Sequence, residues 1–388
     1  MPDSAHDSVS FATLIREWGR IGLVGFGGPP AHIALFRKLC VDERQWLTAH
    51  EFEDGILATN LLPGPASTQL AIYCAWRLRG RMGAIVGGVC FITPGLAIIL
   101  ALSALFFSAN PPLWVLGAAA GAGSAVPSVA LNAALGLLPA SWRRAGAERA
   151  VKVRWIMYFV AGGASAATIG PFLVLVLIVC GAVEVVIRTT GTGSERRGLP
   201  ALIPTTVLPV VTGGLAALCW VALKVGALSY GGGFVIVPLM QHDAVVTYHW
   251  MTGAQFLNAV ALGQVTPGPV VQTVAVVGYA ASGLWGGLLA AAVAFTPSFV
   301  FIIAGASHFD RLRTDVRIQA FFIGAGSAVI GAIAGSAIPL GLELAHLWQL
   351  GVLVLASVWL LVLRRGVVPA LLGAGAIGII AVLAGAPS

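Results

Sequence analysis

The twelve residues 60–71, NLLPGPASTQLA, decide the fold, because they return as QVTPGPVVQTVA at 264–275. A proline on each side of a glycine stops a helix sharply. Each copy therefore predicts two short helical pieces meeting at a tip, over residues 51–79 and 252–281. Outward from the tips the same offset of 204 residues aligns Gly22 with Gly226, Gly27 with Gly231, Gly28 with Gly232, Trp46 with Trp250 and Thr48 with Thr252. After a slip of one, Gly80 meets Gly283 and Pro94 meets Pro297, and the hexapeptide GAGSAV at 121–126 recurs unbroken at 324–329. Such gapless identity indicates duplication, with an N-terminal repeat over 1–198 and a C-terminal one over 199–388.

The composition sets the solvent. Of 388 residues 58% are hydrophobic and 10% charged, where soluble domains carry about 25% charged residues. That excludes a water-soluble enzyme and leaves an all-α polytopic membrane protein. The lipid bilayer is then its first partner. The net charge of +7 would suggest nucleic acid in a soluble protein, but its placement argues against that partner. Nineteen of the 22 Lys and Arg fall in six clusters, at 37–44, 77–81, 143–154, 188–197, 311–317 and 364–365, separated by loops that carry none. This is the positive-inside pattern, with the clusters facing the cytoplasm. The first ten residues, MPDSAHDSVS, lack the basic start of a signal peptide.

The clusters also orient the copies. Arg77, Arg79 and Arg81 mark a turn whose counterpart at 279–285 is bare, and the next two pairs of turns alternate in the same way. Equivalent turns lie on opposite sides, the mark of an inverted-topology repeat and of secondary transporters. Apolar segments near 11–28, 82–107, 113–138, 155–170 and 171–188, and near 207–232, 284–307, 318–340, 347–363 and 367–385, give five spans per copy, an odd number as inversion requires. The expectation is about ten transmembrane helices plus two re-entrant hairpins, with both termini outside. Broken backbone at that depth needs protein or a water-filled cavity around it.

Three features point to an anion site. Pro65 and Pro269 suit the first position of a half-helix, whose amides carry partial positive charge. Around the tips Pro63-Gly64-Pro65 and Pro267-Gly268-Pro269 stand Asn60, Ser67, Thr68 and Gln69 in one copy, and Gln264, Gln272 and Thr273 in the other. The glycine runs GFGGPP (25–30) and SYGGGF (229–234), with Gly27, Gly28, Gly231 and Gly232, allow either close approach of backbone to a ligand or close packing of helices. Finally, Arg20 and Lys224 occupy one repeat position twice, inside apolar segments where a cation is costly. Arg16 pairs with neither. Glu51, Glu53 and Asp54 have the neutral counterparts Gln255, Leu257 and Asn258. Asp54 is the candidate for a coupling proton, with a solvated face at the hairpin mouth as the alternative. Glu184 and Glu343 read as helix-end residues. The five cysteines are scattered within apolar runs, and no CxxC, HExxH or GxSxG is present, so neither a metal, a cofactor nor an enzymatic activity is expected.

On GFGGP at 25–29, NLLPGPASTQLA at 60–71, YGGG at 230–233 and TPGP at 266–269, the sequence resembles the chromate ion transporter superfamily in its long-chain, two-domain form. The resemblance implies a protein of the prokaryotic inner membrane that exports chromate, with sulfate as a related oxyanion, and confers chromate resistance. The second copy departs from the first, so the two tips need not serve the substrate equally. A sulfate carrier and an anion channel built on the same hairpins are the alternatives. A homodimer is among the assemblies the sequence allows.

Overall fold

The computed structural model describes residues 9–62, 64–168, 172–190, 213–229, 235–305 and 315–387. Every regular element among them is helical. In chain order they are α1 (Phe11–Val24), α2 (Pro29–Arg37), α3 (Ala49–Leu61), α4 (Ala66–Phe106), α5 (Leu113–Ser124), α6 (Val126–Ala145), α7 (Arg149–Thr168) and α8 (Leu173–Thr190). The second half holds α9 (Gly214–Leu228), α10 (Ile236–Gln241), α11 (Gly253–Val265), α12 (Thr273–Gly305), α13 (Val316–Leu342), α14 (Leu347–Ser357) and α15 (Val367–Leu383). Four stretches, Ala66–Phe106, Leu113–Ala145, Val270–Gly305 and Val316–Leu342, are long and apolar enough to cross a membrane. Side chains such as Met157, Leu175, Val354 and Ile380 are exposed along helices, as lipid contact requires and water does not favour. The fold is that of an all-α polytopic membrane protein.

Local devices recur at the repeat offset. Thr48 and Glu51 form a capping box at the start of α3, and Thr252 and Gln255 form one at the start of α11. α2 runs into a π-helical turn at Lys38–Glu43 and α10 into another at His242–Thr247. Each turn ends near a non-glycine residue of positive φ, Gln45 at 51° and His249 at 49°. These short segments after the first span had no distinct signature in the sequence.

α4 and α12 each contain a reversal. Arg79 and Gly80 leave helical geometry at φ −142° and 62°, and Ser282 and Gly283 do so at φ −154° and 63°. The chain folds back there. A Cβ on Gly83 would lie 2.3 Å from the Ala75 carbonyl, and one on Gly286 would lie 2.3 Å from that of Gly278. The pieces 66–78 and 273–281 are therefore half-helices packed along the spans that follow them. α3 packs on the first, with Gly55 against the ring of Tyr73, and α11 on the second. Each tip thus joins two helical pieces, α3 to the first half-helix and α11 to the second. The starts differ by a residue or more from expectation: Pro65 caps its helix from outside, and Pro269 precedes a 3-10 turn over Val270–Gln272. Extended ψ values of 106° and 132° keep both prolines out of the helix.

The halves interlock. α4 packs on α12, α5 on α15, and α13 on α7 and α8. Glycines make the closest crossings: a Cβ on Gly331 would sit 1.8 Å from the Phe159 carbonyl, and one on Gly162 would sit 1.9 Å from that of Ala328. Gly121, in the repeated hexapeptide, meets the Ala374 carbonyl in the same way. Small residues thus supply the close approach that helices in lipid need in place of a hydrophobic drive.

Candidate anion site at the hairpin tips

The first hairpin is tied at its mouth. Thr48 donates to the Glu51 carboxylate through its amide (2.9 Å) and hydroxyl (3.0 Å), and Arg77 at the far end of the half-helix pairs with the same carboxylate. Burial opposes ionisation of Glu51, but the Thr48 hydrogen bonds and the Arg77 charge outweigh it and hold the carboxyl below its ordinary range. From this mouth α3 runs to the tip, where Gly64 takes φ 128° before the half-helix starts at Ala66. The amides of Ala66, Ser67 and Thr68 open the helix and so have no intrahelical acceptor. The Gln69 amide nitrogen lies against Gly64.

The second tip is fastened to the first half. Gly268, at φ 101°, donates its N–H to the Gly25 carbonyl at 2.9 Å. Gln272 donates from Nε2 to the Ile92 carbonyl at 2.8 Å, beside the proline at 94 that interrupts α4. Thr273 turns its hydroxyl onto the Val270 carbonyl at 2.8 Å. The Gly25 carbonyl also meets Nε2 of the buried His32 at 2.9 Å. The first glycine run therefore divides between packing and the edge of an open space. Gly22 and Gly25 pack tightly against Phe91 and His32, while Gly27 and Gly28, at φ 98° and 73°, face open space.

That space is a cavity of about 780 Å³ between the tips. Gly27, Gly28, Gly64 and Ala66 border it from the first copy, and Gln264 and Val270 from the second. Its walls continue along α6 through Asn132 and Ser141 to Arg144, and along α13 to Gln319. These four polar side chains were not among the sequence candidates. Asn132 and Gln319 are polar positions within apolar helices, a signal that was available. Arg144 had been counted with the orientation charges.

The remaining candidates lie elsewhere. Arg20 pairs with Glu17 at 3.0 Å, and Glu17 also lies 3.7 Å from Arg44, just after the first π turn. Lys224 pairs with Asp243 inside the second π turn. Lys224 thus ties its helix to the segment that follows, whereas in the first copy Arg44 makes that tie and Arg20 pairs with Glu17 within α1; neither Arg20 nor Lys224 borders the cavity. Asp54 stands 3.7 Å from His50 at the exposed mouth of α3. Pro63, Gly231, Gly232 and the side chain of Asn60 lie outside the described residues. Ser67, Thr68, Gln69, Gln272 and Thr273 are all buried at the tips. Glu184 lies within α8 rather than at its end: fully buried, it joins Arg154 (2.8 Å), Arg188 (2.7 Å) and the Tyr158 hydroxyl (3.2 Å). Glu343 ends α13 and sets its carboxylate against Gly253 at the start of α11, where an anion is favoured.

An all-helical membrane protein with two interrupted helices meeting at a mostly apolar cavity, set with a few polar side chains, has room to hold a small solute away from lipid. Comparison with known proteins gives the family. The sequence model of the family described as Chromate transporter matches twice, over residues 12–185 and 216–379, and the chain belongs to that family, one of transporters rather than enzymes. The chain is 32% identical to the chromate transport protein of Cupriavidus metallidurans over 84% of its own length and 82% of that protein's. It is 30% identical to the chromate transport protein of Pseudomonas aeruginosa, over 86% and 81%. An uncharacterized transporter of Bacillus subtilis is 31% identical over 160 residues, 79% of that protein but 41% of this chain. No solved structure matches.

Proposed function

We propose that the protein is a secondary transporter that exports chromate across the inner membrane of a prokaryotic cell and so confers chromate resistance. The observation that carries this reading is the cavity between the tips, whose walls run from Gly64 and Gln264 to Ser141, Arg144 and Gln319. Those outer residues adjoin basic clusters that the positive-inside pattern assigns to the cytoplasm. A doubly charged tetrahedral oxyanion would be drawn in past Arg144 and its neighbours. It would then exchange water for neutral donors at the Gly64 tip. Family membership and the names of the relatives support chromate as the anion.

The two halves, 1–198 and 199–388, are read as inverted repeats of five spans and one re-entrant hairpin each. Their capping boxes, π turns and reversals at equal offsets support that division, as does the half-length relative. Rocking of one set of elements against the other would alternate access. Lys224, paired with Asp243, is assigned to anchoring the second π turn, and Arg20, which shares the Glu17 carboxylate with Arg44, to holding that carboxylate, rather than to the anion.

Energised everted vesicles test the direction. Vesicles carrying the protein should accumulate chromate above those lacking it, and excess sulfate shows by competition whether the site accepts both anions. Accumulation in right-side-out vesicles only would reverse the assignment.

A further inference from the structure

Hydroxyls on membrane helices normally satisfy themselves by donating to the carbonyl one turn back. Thr93 does so to Val89 (2.7 Å), Ser103 to Ile99 (2.7 Å) and Ser124 to Ala120 (2.6 Å). Ser298 on α12 does not. It is fully buried, and its Oγ has no hydrogen-bond partner among the described residues. That Oγ lies 3.3 Å from where a Cβ on Gly64 would stand, so a second-copy hydroxyl reaches the tip of the first hairpin. Thr68, in the opening turn of the half-helix, is likewise fully buried with an unpartnered Oγ1. A buried donor left unmade is costly, so two of them beside a helix start point to a ligand that accepts.

The second tip itself is built the other way, and a buried, unpartnered donor of that copy, Gln264 Nε2, stands before the tip, at the end of α11. The repeat places Gly95 where Ser298 would be, and its backbone is packed so close that a Cβ would sit 2.1 Å from the Pro267 carbonyl. Gln272, the counterpart of Thr68, spends its Nε2 on Ile92 and leaves unpartnered only Oε1, an acceptor that repels anions. The Gly268 N–H is spent on Gly25.

We propose that one oxyanion binds at the Gly64 tip alone, held by the hydroxyls of Ser298 and Thr68 and the amides that open the half-helix, while the Gly268 tip is a structural anchor. This rests on the reading of the protein as an oxyanion carrier. Neutral donors suit a cargo that must be released, since no fixed charge has to be separated from it. Ser298 also makes the site a joint product of both copies.

The test uses the full-length protein in proteoliposomes, with chromate as the probe. Ser298→Ala should raise the half-saturating chromate concentration about tenfold. It should also shrink the chromate-induced rise in melting temperature, while melting without chromate stays at or above that of the parent. Thr68→Val, which keeps the shape and removes the hydroxyl, should do the same and stands in if Ser298→Ala does not fold. Gln272→Leu at the other tip should lower the melting temperature and leave half-saturation unchanged. Parental half-saturation in the two hydroxyl variants, or a tenfold rise in Gln272→Leu, overturns the single-tip site. If the parent protein shows neither saturable chromate flux nor chromate-induced stabilisation, the carrier reading falls and the site with it.

Discussion

Glu184 shows how a single residue's role depends on what meets it in space. From the sequence it is an acid near the end of a span. In the fold it is a fully buried carboxylate between two arginines, pinning α7 to α8. The arginine side chains are 20% and 30% exposed, so they can still be hydrated when unpaired. The carboxylate cannot. Arg154→Ala should therefore cost about 2–3 kcal/mol, near the low end for breaking a buried pair, and Glu184→Gln should cost less. Thermal unfolding in detergent ranks the two, and the reverse order would mean that the arginines carry the burial penalty. Arg20 and Lys224 teach the same lesson. Their shared repeat position was legible, but their partners Glu17 and Asp243 come from different elements, and no offset in the sequence connects them.

At the scale of elements, the Pro-Gly-Pro tips and the reversals at Gly80 and Gly283 were legible because proline and glycine act through local backbone geometry. The capping boxes at Thr48 and Thr252 are equally local, although the sequence reading did not single them out. What could not be read was which carbonyl each glycine meets. Gly331 and Gly351 look alike in sequence, yet one is pressed onto α7 and the other has nothing within 4 Å. Gly331→Ala should push α13 from α7 and cost about 1–3 kcal/mol. Gly351→Ala, in the open middle of α14, should be neutral or stabilising by about 0.5–1 kcal/mol. Comparison of melting temperatures in one detergent checks both, and equal losses would show that helix propensity rather than crossing distance governs.

For the whole molecule, the repeated pattern was visible in the sequence but the interlocking of the two halves was not. Third spans pack on the last spans of the other copy, and the second tip is fastened to Gly25 and Ile92 of the first. These contacts join residues some 140 to 260 positions apart, beyond the reach of any local pattern. The same long-range assembly hid Ser298 and gave Arg144 a place in a cavity wall as well as in the orientation signal. If the proposed site draws on both copies, transport should require both halves. The central claim, that this cavity carries chromate by alternating access, is tested most directly by colorimetric chromate flux into proteoliposomes containing the purified protein. The account predicts saturable flux, absent from protein-free liposomes and accelerated by chromate loaded on the opposite side. Flux that rises linearly with concentration and ignores counter-loading, or no flux above the protein-free control, would contradict it.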